Sequence, residues 1–148
     1  MSKQEEAGLI LKLYELRREE TMRKARDWYF RDFNPQSVAD FNSAMFGDHS
    51  GYLRMVATYW DMAAALVNDG AISLELFDNC NGEHIGVFAK YELLLGEIRA
   101  AYGAKFSANL EKLIDATPNG RTRAATSREQ MKAIRAQLEA KQAKAAQS

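Results

Sequence analysis

Apolar residues recur every three or four positions along most of the chain, which is the spacing of an amphipathic helix. The clearest example runs from Tyr52 to Val67 and stops before Asn68, Asp69 and Gly70. Gly70 suits the left-handed residue that often follows a helix. Only 2 prolines and 9 glycines interrupt the 148 residues. The pattern predicts an all-α, irregular or orthogonal bundle of five to six helices.

The first apolar stretch, from Glu5 to Phe33, predicts one long helix that protrudes in part from the bundle. Its apolar residues gather near the two ends, and charged residues occupy the middle. There Glu19 precedes Arg23 by four positions, which is the order that stabilises a helix. We therefore expect solvent on the middle of this helix.

The sequence changes in kind near residue 117. Residues 1–116 carry 18 acidic and 13 basic side chains, whereas residues 117–148 carry 2 and 7 and have no aromatic residue. We predict a helical domain over residues 1–116 and a basic helical tail over residues 117–148, docked on the domain or frayed. The opposite charges of the two parts should attract each other. Nucleic acid is not the expected partner, because a basic helix face is usually only solvated.

The rest of the composition indicates an ordinary globular protein of the cytoplasm. No apolar stretch reaches the roughly 20 residues that a membrane-spanning helix needs. The first residues lack the features of a secretory signal. The single cysteine, Cys80, has no partner for an internal disulfide, which favours a reducing compartment. We predict a cytoplasmic location and no membrane span.

Two histidines and their neighbours have the best metal-binding chemistry in the chain. Imidazole, thiolate and carboxylate groups are the usual ligands of transition metals. Cys80 and His84 are four positions apart, but a predicted break in the helix between them means that helical spacing does not place them on one face. We predict no metal centre and no cofactor. The candidates that a structure can test are Asp48, His49, Cys80, Glu83 and His84.

Two apolar groups of residues are candidates for contact with a partner. Aromatic residues cluster near positions 28–33, where a helix end packs between its neighbours and can leave one ring for a partner. The tail carries an apolar stripe that is too narrow to stabilise an isolated helix. The predicted interaction residues are Trp28, Phe33, Met131, Ile134 and Leu138.

The sequence contains no pattern that is typical of an enzyme. Neither Cys80 nor any serine lies in a motif for nucleophilic catalysis, and phosphate-binding and dinucleotide-binding motifs are absent. We predict a non-catalytic protein-interaction or scaffold module whose partner is another protein or a second copy of the chain. The alternative is a small-molecule or metal-binding protein, or an enzyme, with a site near His49 and His84.

Several segments of the chain resemble a known family. They include Tyr59-Trp60, Asn68-Asp69-Gly70 and the residues around them, together with segments 20–26 and 95–99. Over about residues 9–115 the chain is similar to a widespread bacterial family of small all-helical proteins, catalogued only as a domain of unknown function. The resemblance implies a helical fold but no activity, cofactor or catalytic residue. It also implies a membrane helix ahead of this domain in many members, which the first residues here do not provide.

Overall fold

The computed structural model describes residues 2–147, and within them the regular secondary structure is entirely helical. The predicted all-α class is confirmed, but the helices outnumber the five to six predicted. None of the helices in this part of the chain is long and apolar enough to cross a bilayer. They are α1 (Lys3–Arg17), α2 (Glu20–Arg31), α3 (Val38–Met45), α4 (Ser50–Asn68), α5 (Leu74–Cys80), α6 (Glu83–Tyr91), α7 (Leu95–Tyr102), α8 (Ala108–Ala116) and α9 (Gly120–Ala146), with a 3-10 turn at Glu92–Leu94.

The prediction of one long first helix is wrong, because the chain breaks between α1 and α2. Glu19 is the reason for the break. Its carboxylate accepts hydrogen bonds from the backbone N–H groups of Thr21 and Met22, each at 3.1 Å. These two donors lower the pKa of Glu19 below its ordinary value. Glu19 therefore caps a new helix. The sequence pattern had indicated instead that Glu19 and Arg23 form a pair within one continuous helix.

α4 lies at the centre of the bundle and packs between α2 and α8. Trp60 is buried, and its indole N–H donates to Glu83 Oε2 at 3.1 Å. Tyr59 is partly buried, and its hydroxyl donates to the carbonyl of Leu13. Gly70 ends the helix with φ of +88°, which confirms the predicted left-handed residue. The buried face of α4 consists of Leu53, Val56, Ala57, Trp60, Ala63, Ala64 and Val67.

α9 begins at Gly120, close to the start of the predicted tail. A Cβ atom at Gly120 would lie 1.9 Å from the carbonyl oxygen of Ile114, so glycine is required where α9 starts against α8. Ala124 is fully buried. The first half of the predicted tail therefore packs against the body through Gly120 and Ala124, whereas the side chains of residues 136–147 are exposed.

The acidic body and the basic α9 contact each other through ion pairs, in agreement with the charge difference in the sequence. The Arg121 guanidinium lies 3.0 Å from Glu92, 2.9 Å from Glu111 and 2.6 Å from Asp115. Arg128 adds a contact of 3.0 Å with Glu92. Because these side chains are only partly buried, each pair contributes modestly to stability. Together they fix the N-terminal half of α9 on the body.

Candidate functional site

An open groove runs along α9, on the side that faces the end of α2 and the junction of α6 with the 3-10 turn. Its volume is about 810 Å³, which lies within the range of clefts that hold ligands. The residues that line it come from three separate parts of the chain, 30–36, 89–94 and 128–142. The groove therefore exists only because α9 packs against the body.

The apolar side chains of the groove remain in contact with solvent. Leu93 is 74% exposed, Ile134 is 56% exposed and Leu138 is 52% exposed. Met131 and Phe30 are partly buried and pack against the core. Apolar side chains that gather in one exposed place commonly mark a contact site. The groove is accordingly the strongest candidate for a binding surface in the described part of the chain.

Cations from two other helices hold the wall of the groove at the end of α2. The Lys90 ammonium donates to the carbonyl of Tyr29 at 2.8 Å and to that of Phe33. The Arg135 guanidinium donates to the carbonyl of Arg31 at 3.2 Å. Carbonyls at the end of a helix lack partners within it and favour positive charge. Burial, with a smaller effect of Arg135, lowers the pKa of Lys90 to about 8. These bonds join α6 and α9 to α2.

The structure separates the five predicted interaction residues into two groups. The three residues of the tail, which line the groove, are Met131, Ile134 and Leu138. Phe33, by contrast, is only 4% exposed. Trp28 is partly buried and stacks on Phe33 at 5.3 Å and on His49 at 5.4 Å between ring centroids. These two aromatic residues therefore pack mainly within the protein.

The five candidate metal ligands do not converge on one point. Within residues 2–147, no three His, Cys, Asp or Glu side chains are placed to hold a metal ion. Glu83 is paired with the Arg26 guanidinium at 2.7 Å. Asp48, His49 and Cys80 are exposed. Each candidate thus contacts residues of other types or solvent.

His84 differs from the other candidates because it is buried. It is 1% exposed, and its ring contacts Phe77 at 5.0 Å and Trp60 at 5.7 Å between centroids. Its Nδ1 atom has no hydrogen-bond partner among the described residues. Burial lowers its pKa to about 4, an effect that Asp78 opposes and Arg123 reinforces. His84 is therefore neutral near pH 7 and belongs to the aromatic core.

α1 also exposes apolar side chains. Leu11 is 66% exposed and Tyr14 is 47% exposed. The guanidinium groups of Arg17 and Arg18 each lie 5.2 Å from the centre of the Tyr14 ring. Tyr14 therefore packs against these cations, and no groove lined by a second segment of the chain is described beside α1.

Sequence reasoning missed the residues on the far side of the groove from α9. The apolar spacing continues from about Glu83 to Tyr102 as if in one helix, but the 3-10 turn at Glu92–Leu94 interrupts it and leaves Leu93 exposed. The run of three leucines at 93–95 was the available signal, since three consecutive side chains cannot share one helix face. Lys90 gave no signal, because its acceptor on Tyr29 lies 61 positions away.

Comparison with known proteins places the chain in a family. Residues 4–117 match the model of a family described as a domain of unknown function (DUF4760), so the chain belongs to that family, as its resemblance indicated. No curated protein and no solved structure matches it. The match ends before α9 begins, so the side of the groove formed by α9 lies outside the matched residues. The function must therefore be argued from the groove itself.

Proposed function

We propose that this chain is a non-catalytic protein-interaction module that binds the apolar face of a partner helix in the groove beside α9. The observation that supports this proposal is the exposure of Leu93, Ile134 and Leu138, each more than half exposed and all lining one groove. Leaving apolar surface in water is unfavourable, and binding a partner removes that cost.

The length of the groove suits a helix. α9 lines it from Arg128 to Gln142, which corresponds to about 21 Å at the rise of a helix. A partner helix of about four turns covers this length. Such a helix binds a groove through residues spaced three and four apart. Met131, Ile134 and Leu138 have the same spacing on α9, so the two rows of side chains can interdigitate.

The apolar contacts support a moderate affinity. Fully burying a Leu or Ile side chain contributes about 1.5–3 kcal/mol. Because Ile134 and Leu138 are already about half buried, about 1 kcal/mol remains for each. Replacing both should therefore weaken binding by a factor of about ten or more.

The alternative of a ligand site near His49 and His84 has less support. His84 is buried among aromatic rings, whereas His49 is exposed and stacks on Trp28. Among the described residues, those that line the groove include no histidine, cysteine or serine. Binding is accordingly the function that these side chains support best. The cytoplasmic location remains a prediction from the sequence.

A synthetic helix tests the groove directly. The probe is a fluorescent peptide of about five turns with leucines along one face and glutamines beside them, and binding is measured by anisotropy. The Ile134→Asp/Leu138→Asp double variant should bind about tenfold more weakly than the natural chain. The matched control is Ala133→Asp/Ala140→Asp, which adds the same charges to exposed positions of the same helix turned away from the groove. It should bind like the natural chain.

Circular dichroism and thermal unfolding establish that both double variants keep the fold. With folding intact, weaker binding by the groove variant alone supports the proposal. If the two double variants bind the peptide equally well, or if the natural chain does not bind it, the groove is not a binding site for apolar helices and the proposal is wrong.

A further inference from the structure

The charges around the groove indicate which kind of helix it accepts. We propose that the occupant is an amphipathic helix of a partner protein, and that acidic residues flank the apolar face of this helix; the inference rests on the proposed binding function. The side chains that line the groove include five basic and three acidic ones. The basic residues are Arg31, Lys90, Arg128, Lys132 and Arg135, and the acidic residues are Asp32, Glu129 and Glu139.

Some of these cations already serve the fold, and others face outward. Lys90 is bonded to carbonyls at the end of α2, and Arg128 is bonded to the Ala89 carbonyl and to Glu92. Lys132 is exposed, and within residues 2–147 it makes no ion pair. Arg135 is partly buried and has only a backbone acceptor among its hydrogen bonds with described residues. Lys132 is therefore placed to meet a carboxylate of an occupant, and Arg135 can do so with the N–H groups that do not hold the Arg31 carbonyl.

Positive charge predominates along the C-terminal half of α9, both within the groove and beyond it. Residues 131–147 contain four basic side chains and one acidic side chain, a net charge of +3, whereas residues 1–116 carry a net charge of −5. An acidic helix is thus attracted to α9 and repelled by the rest of the surface. This contrast in charge favours an acidic partner over a basic one, and it favours binding at α9 over binding elsewhere on the surface.

Two other occupants fit the groove less well. A second copy that paired through the same surface would bring its own residues 131–147, with the same net charge of +3, against the first, and like charges disfavour that pairing. An anionic bilayer is broad and flat, whereas Ile134 and Leu138 line a groove with Leu93 on its other side. The apolar stripe of α9 also lacks the aromatic residues that commonly anchor helices in a membrane surface. A separate acidic helix satisfies both the shape and the charge.

Three peptides that differ only in the residues beside their leucine face test the inference. The flanking residues are glutamate, glutamine or lysine, and binding to the full chain is measured by anisotropy. At low ionic strength the glutamate peptide should bind about tenfold more tightly than the lysine peptide. The difference should shrink at high ionic strength, because salt screens exposed charges.

A charge reversal in the groove provides the matched comparison. Lys132→Glu should weaken binding of the glutamate peptide several-fold and strengthen binding of the lysine peptide. Lys112→Glu makes the same change at an exposed position of α8, outside the residues that line the groove. It should leave both affinities close to those of the natural chain. This pair separates contact in the groove from a change in total charge.

The possible results distinguish this inference from the proposed function. Equal binding of all three peptides, still lost in Ile134→Asp/Leu138→Asp, would overturn the acidic partner and leave the groove as a binding site. Absence of groove-dependent binding by any peptide would overturn both. Light scattering that shows a dimer, lost in the same variant, would identify a second copy as the occupant. Binding to phosphatidylglycerol vesicles that needs Lys132, without binding of the glutamate peptide, would identify a membrane surface.

Discussion

The burial of His84 should make the stability of the protein depend on pH in mild acid. The pKa of His84 is about 4 in the folded chain, against an ordinary value of 6.5. The main cause is the loss of hydration in the core, which Asp78 offsets in part and Arg123 reinforces. Between these two pKa values the unfolded chain binds a proton that the folded chain does not. The contribution of His84 to stability therefore falls as the pH falls through 6.5 and levels off below about 4.

The size of the effect follows from the two pKa values. One unit corresponds to about 1.36 kcal/mol, so the difference between 6.5 and 4 amounts to about 3 kcal/mol. The linkage relation places about 2 kcal/mol of this between about pH 7.5 and about pH 5. Ion pairs lower the pKa values of Glu111 and Asp115 from 4.5 and 3.8. The stability that these carboxylates contribute is lost only at lower pH, outside this window.

Urea unfolding followed by circular dichroism measures the effect. The natural chain should lose about 2 kcal/mol of unfolding free energy between about pH 7.5 and about pH 5. His84→Leu should lose much less over the same interval, whatever its stability at the higher pH. His49→Leu removes an exposed histidine and should behave like the natural chain. Equal losses in the natural chain and in His84→Leu would refute the reasoning.

Two further changes probe the core and the start of α9. Trp60→Ala should lower the unfolding free energy by about 3–5 kcal/mol in urea titrations, because the indole is 1% exposed. A loss below about 1 kcal/mol would contradict its place in the core. Gly120→Ala should destabilise the chain strongly, because its Cβ would collide with the Ile114 carbonyl. Gly96→Ala, inside α7 with open space around its Cβ position, should stabilise by up to about 1 kcal/mol. Similar thermal shifts for both glycine variants would contradict the close approach at Gly120.

The helix at the centre of the bundle was predictable because all its signals agree. From Leu53 to Val67 the apolar residues fall on one face, and Gly70 ends the helix with a positive φ. Trp60 lies on that face and is buried. Where periodicity, helix end and aromatic placement point to one structure, the sequence is sufficient.

The breaks in the longer helices were hidden because the residues involved have two possible roles. Glu19 can pair with Arg23 in a continuous helix or cap a new one, and both arrangements satisfy its carboxylate. The structure contains the cap. The leucines at 93–95 likewise extend an apolar helix in the sequence, yet a 3-10 turn leaves Leu93 in solvent. Only contacts between distant segments decide between such local alternatives.

The candidate site was predictable on one side only. Met131, Ile134 and Leu138 were identified as an apolar stripe because they lie close together in one helix. Their counterparts lie elsewhere in the chain, at Phe30 and Leu93, and no local pattern connects them to α9. The aromatic cluster at Trp28 was as clear in the sequence as the apolar stripe of α9, but it packs within the protein. An apolar group in a sequence therefore indicates burial without deciding whether the chain or a partner supplies it.

The division of charge along α9 explains how one helix can serve both the fold and a partner. Arg121 and Arg128, in its first half, are paired with carboxylates of the body, and the buried Ala124 lies between them. These contacts hold the helix in place without using Ile134 or Leu138, which keep more than half of their surface exposed. The residues that match the family end at 117. Those residues supply Leu93 and the end of α2, but the groove needs α9, so the proposed binding depends on the segment that follows the matched domain.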